Sequence, residues 1–147
     1  MLANQKNDLL HLLNILESIG KVELYCSGIE SAEDFFAIND QLNFNATLNL
    51  LANIGESASK LSEELKTQLS EVDWKRIKGF RNQVAHNYMG IDIYIVFDVM
   101  QKDLSKLKAS VYAFIFKNLK SVVFDKEEFD AAKGNQYYRH IDFSKLE

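Results

Sequence analysis

Apolar side chains along this chain recur at intervals of three and four residues, the spacing that gathers them on one face of an α-helix. Leu9, Leu12, Leu13, Leu16, Ile19 and Val22 form the first such stripe and predict a helix from about Asn4 to Cys26, with Gly28 as its stop. Ser31 opens a short helix over SAEDFFAI, with Asp34 three residues on as a variant of the capping box. Phe44, Leu48, Leu51, Ile54, Ala58, Leu61 and Leu65 mark a long helix over 41–66, with Asp40 as its cap. After a break at SEVD, Asp73 caps a helix over 74–86. Asp92 caps the last long helix, 92–117, which carries Val96, Met100, Leu104, Leu107, Val111 and Ile115. Its opening, IDIYIVFDV, is rich in β-branched residues and would suit a strand. The helical period continues through Leu107, however, and no second candidate strand exists to pair with it.

Four or five amphipathic helices with short connections predict an all-α fold, an antiparallel four- to five-helix bundle. Residues 1–118 form this bundle, and 119–147 are expected as a partly ordered C-terminal extension. The apolar stripes on the third and fifth helices are broad enough to cover a second copy, so a homodimer is expected. Composition agrees with long helices: the 147 residues include no proline, where average usage of about 5% predicts about seven. No apolar run approaches the roughly 20 residues of a membrane span, and the N-terminus lacks the basic start and long apolar core of a signal peptide. A cytoplasmic protein without membrane contact is the expectation. Cys26, the single cysteine, leaves no disulfide framework and no multi-cysteine zinc site.

Charge is distributed unevenly. The chain carries a net −4, yet residues 74–91, WKRIKGFRNQVAHNYMGI, hold Lys75, Arg76, Lys78 and Arg81 with no acid. A general nucleic-acid binder is basic overall, and this chain is not, so DNA is not an expected partner. A basic segment on an acidic body suits a focused phosphate site, an acidic partner, or simply a solvated helix face. None of His11, His86 and His140 has the spacing of a metal motif. Gly55, Gly79 and Gly90 are isolated and build no phosphate loop. No cofactor is predicted.

Candidate chemistry is concentrated in GFRNQVAHNYMG, which brings Arg81, Asn82, His86 and Tyr88 within eight residues. Arg81 offers a rigid fork for phosphate oxygens, and an imidazole such as His86 can move a proton near neutral pH. Cleavage of RNA by its own 2′-hydroxyl needs those two abilities and no metal. On a continuous helix, however, Arg81 and His86 point about 140° apart. They can line one site only if the helix ends or bends near Ala85, or if two chains meet. The alternative is a plain helix end with a terminal histidine bonding the last carbonyls.

Arg81, four residues, His86, one residue, Tyr88 resembles the Arg-x4-His-x-Tyr signature of the HepT-like toxins of the HEPN superfamily. NIGESASKL at 53–61, Trp74, Gly79 and Ile91-Asp92 extend the resemblance over about residues 4–116. Ser57 departs from the family's usual alanine, and the chain after about Leu119 runs past the family's usual end. The resemblance implies a dimerising bundle with both Arg-His motifs facing one cleft, and a metal-independent RNase acting as the toxin of a type VII-like toxin–antitoxin pair. Arg81 and His86 would be catalytic, with Asn82 and Glu56 supporting. The implied partner is a minimal nucleotidyltransferase antitoxin that binds the toxin and transfers AMP to Tyr88. The rival expectation is a non-catalytic, nucleotide- or substrate-binding subunit of such a nucleotidyltransferase.

Overall fold

The computed structural model describes residues 2–121 and 124–147, with residues 2–7 described by backbone alone. Its α-helices are α1 (Leu2–Tyr25), α2 (Ala32–Ala37), α3 (Leu42–Ser59), α4 (Glu63–Gln68), α5 (Trp74–His86), α6 (Ile93–Asp98), α7 (Leu104–Lys120) and α8 (Lys126–Lys133). No strand occurs among the described residues, so the fold is the expected all-α bundle.

The helices start where short polar side chains can accept from orphan N–H groups. Ser31 accepts from the Asp34 amide at 3.1 Å, Asp73 from that of Arg76 at 3.1 Å, and Asp92 from that of Tyr94 at 2.9 Å. The β-branched stretch after Asp92 is therefore helical, as its period requires. Between α6 and α7 the chain takes one wider turn over Val99–Asp103, where the Leu104 N–H donates to the Val99 carbonyl. The extra residue re-phases the apolar stripe while the two helices continue as one rod. Arg76 of α5 reaches this turn and pairs with Asp103 at 2.7 Å.

Side-chain links show that α3 and α7 each run antiparallel to α1. Asp8 near the start of α1 meets Ser62 just past α3, whose N–H and hydroxyl donate to it at 2.8 and 2.5 Å. Asn43 near the start of α3 donates to the Tyr25 carbonyl at the end of α1, at 2.6 Å. Lys108 of α7 pairs with Glu23 of α1 at 3.0 Å. Leu9, Leu12, Ile19, Leu48, Ile54, Leu107, Val111 and Ile115 meet in the buried core between these helices.

Two expectations change. The helix expected over 41–66 is two helices: α3 ends at Ser59, and Ser62 caps α4 by accepting from the Leu65 amide at 3.2 Å. The apolar period survives because Leu61 and Leu65 are buried across the break. Nor does Asp40 cap α3. Asn39, Asp40 and Gln41 all take left-handed backbone angles, with φ of 51°, 55° and 70°, which turns the chain sharply into α3 instead.

Residues 119–147 were expected as a partly ordered extension; 122–123 lie outside the described residues. Residues 124–147 fold into α8 and two short 3-10 turns, Gln136–Tyr138 and Phe143–Lys145. Phe124, Phe129, Ala132, Ile141 and Leu146 are buried. Isolated apolar residues in a polar tail carry no helical period, so their burial follows from long-range partners. Gly20 on α1 is such a partner, since a Cβ there would stand 2.4 Å from the His140 carbonyl oxygen. Glu17 is another: it accepts from the His140 amide at 2.7 Å and meets its Nδ1 at 2.6 Å.

Candidate active site

α3 and α5 form the most extensive helix pair of the bundle, and one glycine lets them approach. A Cβ on Gly55 would lie 3.0 Å from the Arg81 backbone nitrogen and 3.0 Å from the Ile77 carbonyl oxygen. Trp74, Ile77 and Phe80 bury one face of α5, and the Trp74 indole N–H donates to the Leu69 carbonyl at 3.0 Å. The packing turns Arg81 toward α3, where its Nη1 meets the Glu56 Oε2 at 2.6 Å. That oxygen is shut off from solvent yet has no hydrogen bond of good geometry, so the contact is an ion pair and not an aligned fork. Glu56 also faces Lys60 at 3.6 Å. The Arg81 side chain stays 61% exposed, which leaves most of its N–H donors free for another anion.

Arg81 and Asn82 line an open cleft of about 600 Å³ together with Lys75 and Lys78. Glu63 and Lys66 stand on the opposite wall and pair with each other at 2.8 Å. The acid-free segment read from the sequence thus becomes a basic wall beside Arg81. His86 ends α5 and is exposed, and its ring has no hydrogen bond or ion pair with a described residue. Because α5 runs unbroken through His86, the separation of about 140° holds, and a single copy does not bring Arg81 and His86 to one point.

Tyr88 follows in a short 3-10 turn, Tyr88–Gly90. It is 46% exposed, and its hydroxyl donates to the side-chain oxygen of Asn45 on α3. Nothing in the sequence points to Asn45, because the bond spans 43 positions and depends on the α3–α5 pairing. Beside this turn an apolar groove of about 440 Å³ runs between Leu48, Phe80, Val84, Ile91, Ile95 and Val96. Ile95 lines it at 59% exposure, and Met89 in the adjoining turn is 94% exposed.

The remaining candidates sit elsewhere. His11 is half-buried on α1, where burial and the nearby Lys60 push its imidazole below the ordinary value, Asp8 pulling the other way. Cys26 is half-buried against the Thr47 hydroxyl at 3.4 Å, and burial pushes its thiol up. Among the described residues no group of three His, Cys, Asp or Glu side chains is arranged to hold a metal ion. Nor is any described helix long and apolar enough to cross a membrane.

Comparison with known proteins places this geometry in context. The family described as "Ribonuclease HepT-like" matches residues 15–114, which include all of α3 and α5. The chain is 30% identical over 100 residues to a Methanocaldococcus jannaschii protein named "Putative RNase", covering 68% of this chain and 89% of that protein. A Thermococcus cleftensis protein named "Probable ribonuclease HepT" is 26% identical over 98 residues, 67% of this chain and 86% of that protein. A second M. jannaschii protein, named "Gamma-glutamylcyclotransferase and putative RNase", is 27% identical over 133 residues, 90% of this chain. The chain spans about half of that last protein, 54% of its length. No solved structure matches. With the match running through both helices that carry Glu56, Arg81 and His86, the chain belongs to the HepT-like ribonuclease family.

Proposed function

We propose that the protein is the ribonuclease toxin of a toxin–antitoxin pair, cutting RNA by attack of the RNA's own 2′-hydroxyl, with Arg81 and His86 as the catalytic residues. The α5 surface carries this reading: Arg81 and Asn82 share a basic cleft with Lys75 and Lys78, and His86 stands uncommitted at the helix end. The lysines hold phosphates of the strand, and Arg81 stabilises charge developing on the scissile phosphoryl oxygens. His86 takes the 2′-hydroxyl proton as the O2′–P bond forms and the P–O5′ bond breaks. The 5′-oxygen leaves as a hydroxyl after gaining a proton, and a 2′,3′-cyclic phosphate remains. Glu56 holds the guanidinium from behind, and Asn82 orients the phosphate.

The angle between Arg81 and His86 calls for a second copy. A homodimer that brings its two α5 helices face to face joins Arg81 of one copy to His86 of the other. The apolar groove lined by the exposed Ile95 supplies a seam for that contact. For control, a minimal nucleotidyltransferase binds the dimer and transfers AMP from ATP to Tyr88. The tyrosine oxygen bonds to the α-phosphorus, pyrophosphate leaves, and the hydroxyl gives up its proton and its bond to Asn45. The added phosphodiester then competes with RNA beside Arg81.

The test is cleavage of cellular transfer and messenger RNA by purified protein. Cleavage is expected to survive EDTA, to stop when the cut position lacks a 2′-hydroxyl, and to fall at least about 100-fold, a typical share for one acid–base or oxyanion group, in His86→Ala and in Arg81→Ala. Tyr88→Phe is expected to cut RNA and to take no AMP from the nucleotidyltransferase. A native chain that cuts no RNA would leave the non-catalytic partner subunit as the better description.

A further inference from the structure

The Glu56–Arg81 pair is a ridge between two clefts of unlike chemistry. On the Arg81 side lies the basic cleft already described. On the Glu56 side a second cleft of about 450 Å³ opens between α1, α3 and the C-terminal segment, within the range of small-ligand sites. Asn53 and Ser57, one turn apart on α3, form one wall with Glu56, and Asn14 and Glu17 of α1 form the floor. The far wall is Tyr137 and Tyr138 of the extension.

The backbone that carries this wall is anchored on both sides of Tyr137. Tyr138 donates its hydroxyl to the Asn14 side-chain oxygen at 2.9 Å, and the His140 amide donates to Glu17 at 2.7 Å. Ile141 is buried, and the Asn135 side chain accepts from the Tyr137 amide at 2.9 Å. Between these anchors Gln136, Tyr137 and Arg139 are exposed, and of these side chains Tyr137, 77% exposed, lines the cleft. Its flat apolar face has no partner to repay its exposure within the described chain.

The charged side chains lining this cleft are already paired, so they offer phosphate no free cation. Among the described lining residues Lys21 is the one cation and pairs with Glu17 at 3.6 Å, while Glu56 is held by Arg81 at 2.6 Å. Amides and hydroxyls that both donate and accept, beside an exposed aromatic face, fit a nucleobase instead. We propose that the cleft between α1, α3 and Asn135–Tyr138 is a nucleobase subsite for single-stranded RNA, with Tyr137 as its stacking platform. A strand crossing the ridge then sets its phosphates toward Lys75, Lys78 and Arg81 and one base against Tyr137. This rests on RNA being the ligand of the neighbouring cleft.

The experiment measures binding and cleavage separately, using the whole 147-residue chain and a short, fluorescein-labelled single-stranded RNA. Tyr137→Ala is expected to weaken binding, read by anisotropy, about 5- to 150-fold, the range for losing one base–aromatic stack. The same loss should appear in KM for cleavage, Tyr137→Phe should recover most of it, and thermal unfolding should be unmoved because the ring is exposed. An RNA that is abasic at the stacked position should bind the native protein and Tyr137→Ala alike. Binding that depends on Tyr137 without any cleavage would keep the subsite and remove the nuclease. Cleavage and binding indifferent to Tyr137→Ala would remove the subsite and keep the nuclease. A native protein that neither binds nor cuts would remove both.

Discussion

Gly55 shows how one missing side chain sets the distance between two helices. Alanine there gains about 1 kcal/mol of helix propensity, but its methyl meets backbone atoms of Ile77 and Arg81 at 3.0 Å, which no rotamer change can relieve. Overpacking of that kind costs about 1–3 kcal/mol, so Gly55→Ala should lower the urea midpoint, and a midpoint at or above native would contradict the close approach. His11 makes a second residue-scale prediction. Its imidazole is held below its ordinary value by burial and then by Lys60, so the unfolded chain binds the proton more readily. Stability attributable to His11 is therefore full above the unfolded value, near 6.5, and declines as pH falls through the window down to the lower folded value. Thermal melts at about pH 7.5 and about pH 5 should show a smaller acid loss in His11→Gln than in the native chain. An equal loss in both would show that His11 does not contribute.

At the scale of elements, the C-terminal segment does more than its composition suggests. α8 lays Phe129 into the core with 0% exposure, edge-on to Phe143 at 5.6 Å, and Phe124 meets Phe114 of α7 at 5.9 Å. A removable tail would tolerate truncation of such a ring, whereas a core element would lose about 3–5 kcal/mol. Phe129→Ala is expected to show the larger figure in chemical denaturation, and a change under about 1 kcal/mol would make the extension an accessory. α5 carries the opposite lesson. Its caps, its buried face and its end at His86 follow its own residues, while the aim of Arg81 follows from α3 alongside it.

At the scale of the whole molecule, the expectation concerns assembly. The groove beside the Tyr88–Gly90 turn exposes Ile95 next to the buried Phe80, Val96 and Val99, and the proposed catalysis needs two α5 helices. Light scattering at micromolar concentration is expected to give twice the 16.9 kDa chain mass. A charge in the seam, Ile95→Asp, should return the protein to one chain and remove cleavage, because an unpaired carboxylate there costs several kcal/mol to bury. A monomeric native protein that cuts RNA would overturn the two-copy site.

Much of this was legible along the chain because it depends on neighbours in sequence. The all-α class, the capping residues Ser31, Asp73 and Asp92, the helical course of IDIYIVFDV and the basic segment at 74–91 are all set within a turn or two of helix, where spacing and short side chains decide. The candidate residues Arg81, Asn82, His86 and Tyr88 were legible as a cluster for the same reason. What they face was not. Glu56 against Arg81, Asn45 under the Tyr88 hydroxyl, and Asn14 and Glu17 beneath the C-terminal segment lie 25, 43 and more than 100 positions from their partners. Such pairs carry no local period. They are chosen by which helices pack together and by where a glycine allows backbones to touch, so the site's chemistry was written in the sequence and its geometry was decided by the packing of α1, α3, α5 and the C-terminal segment.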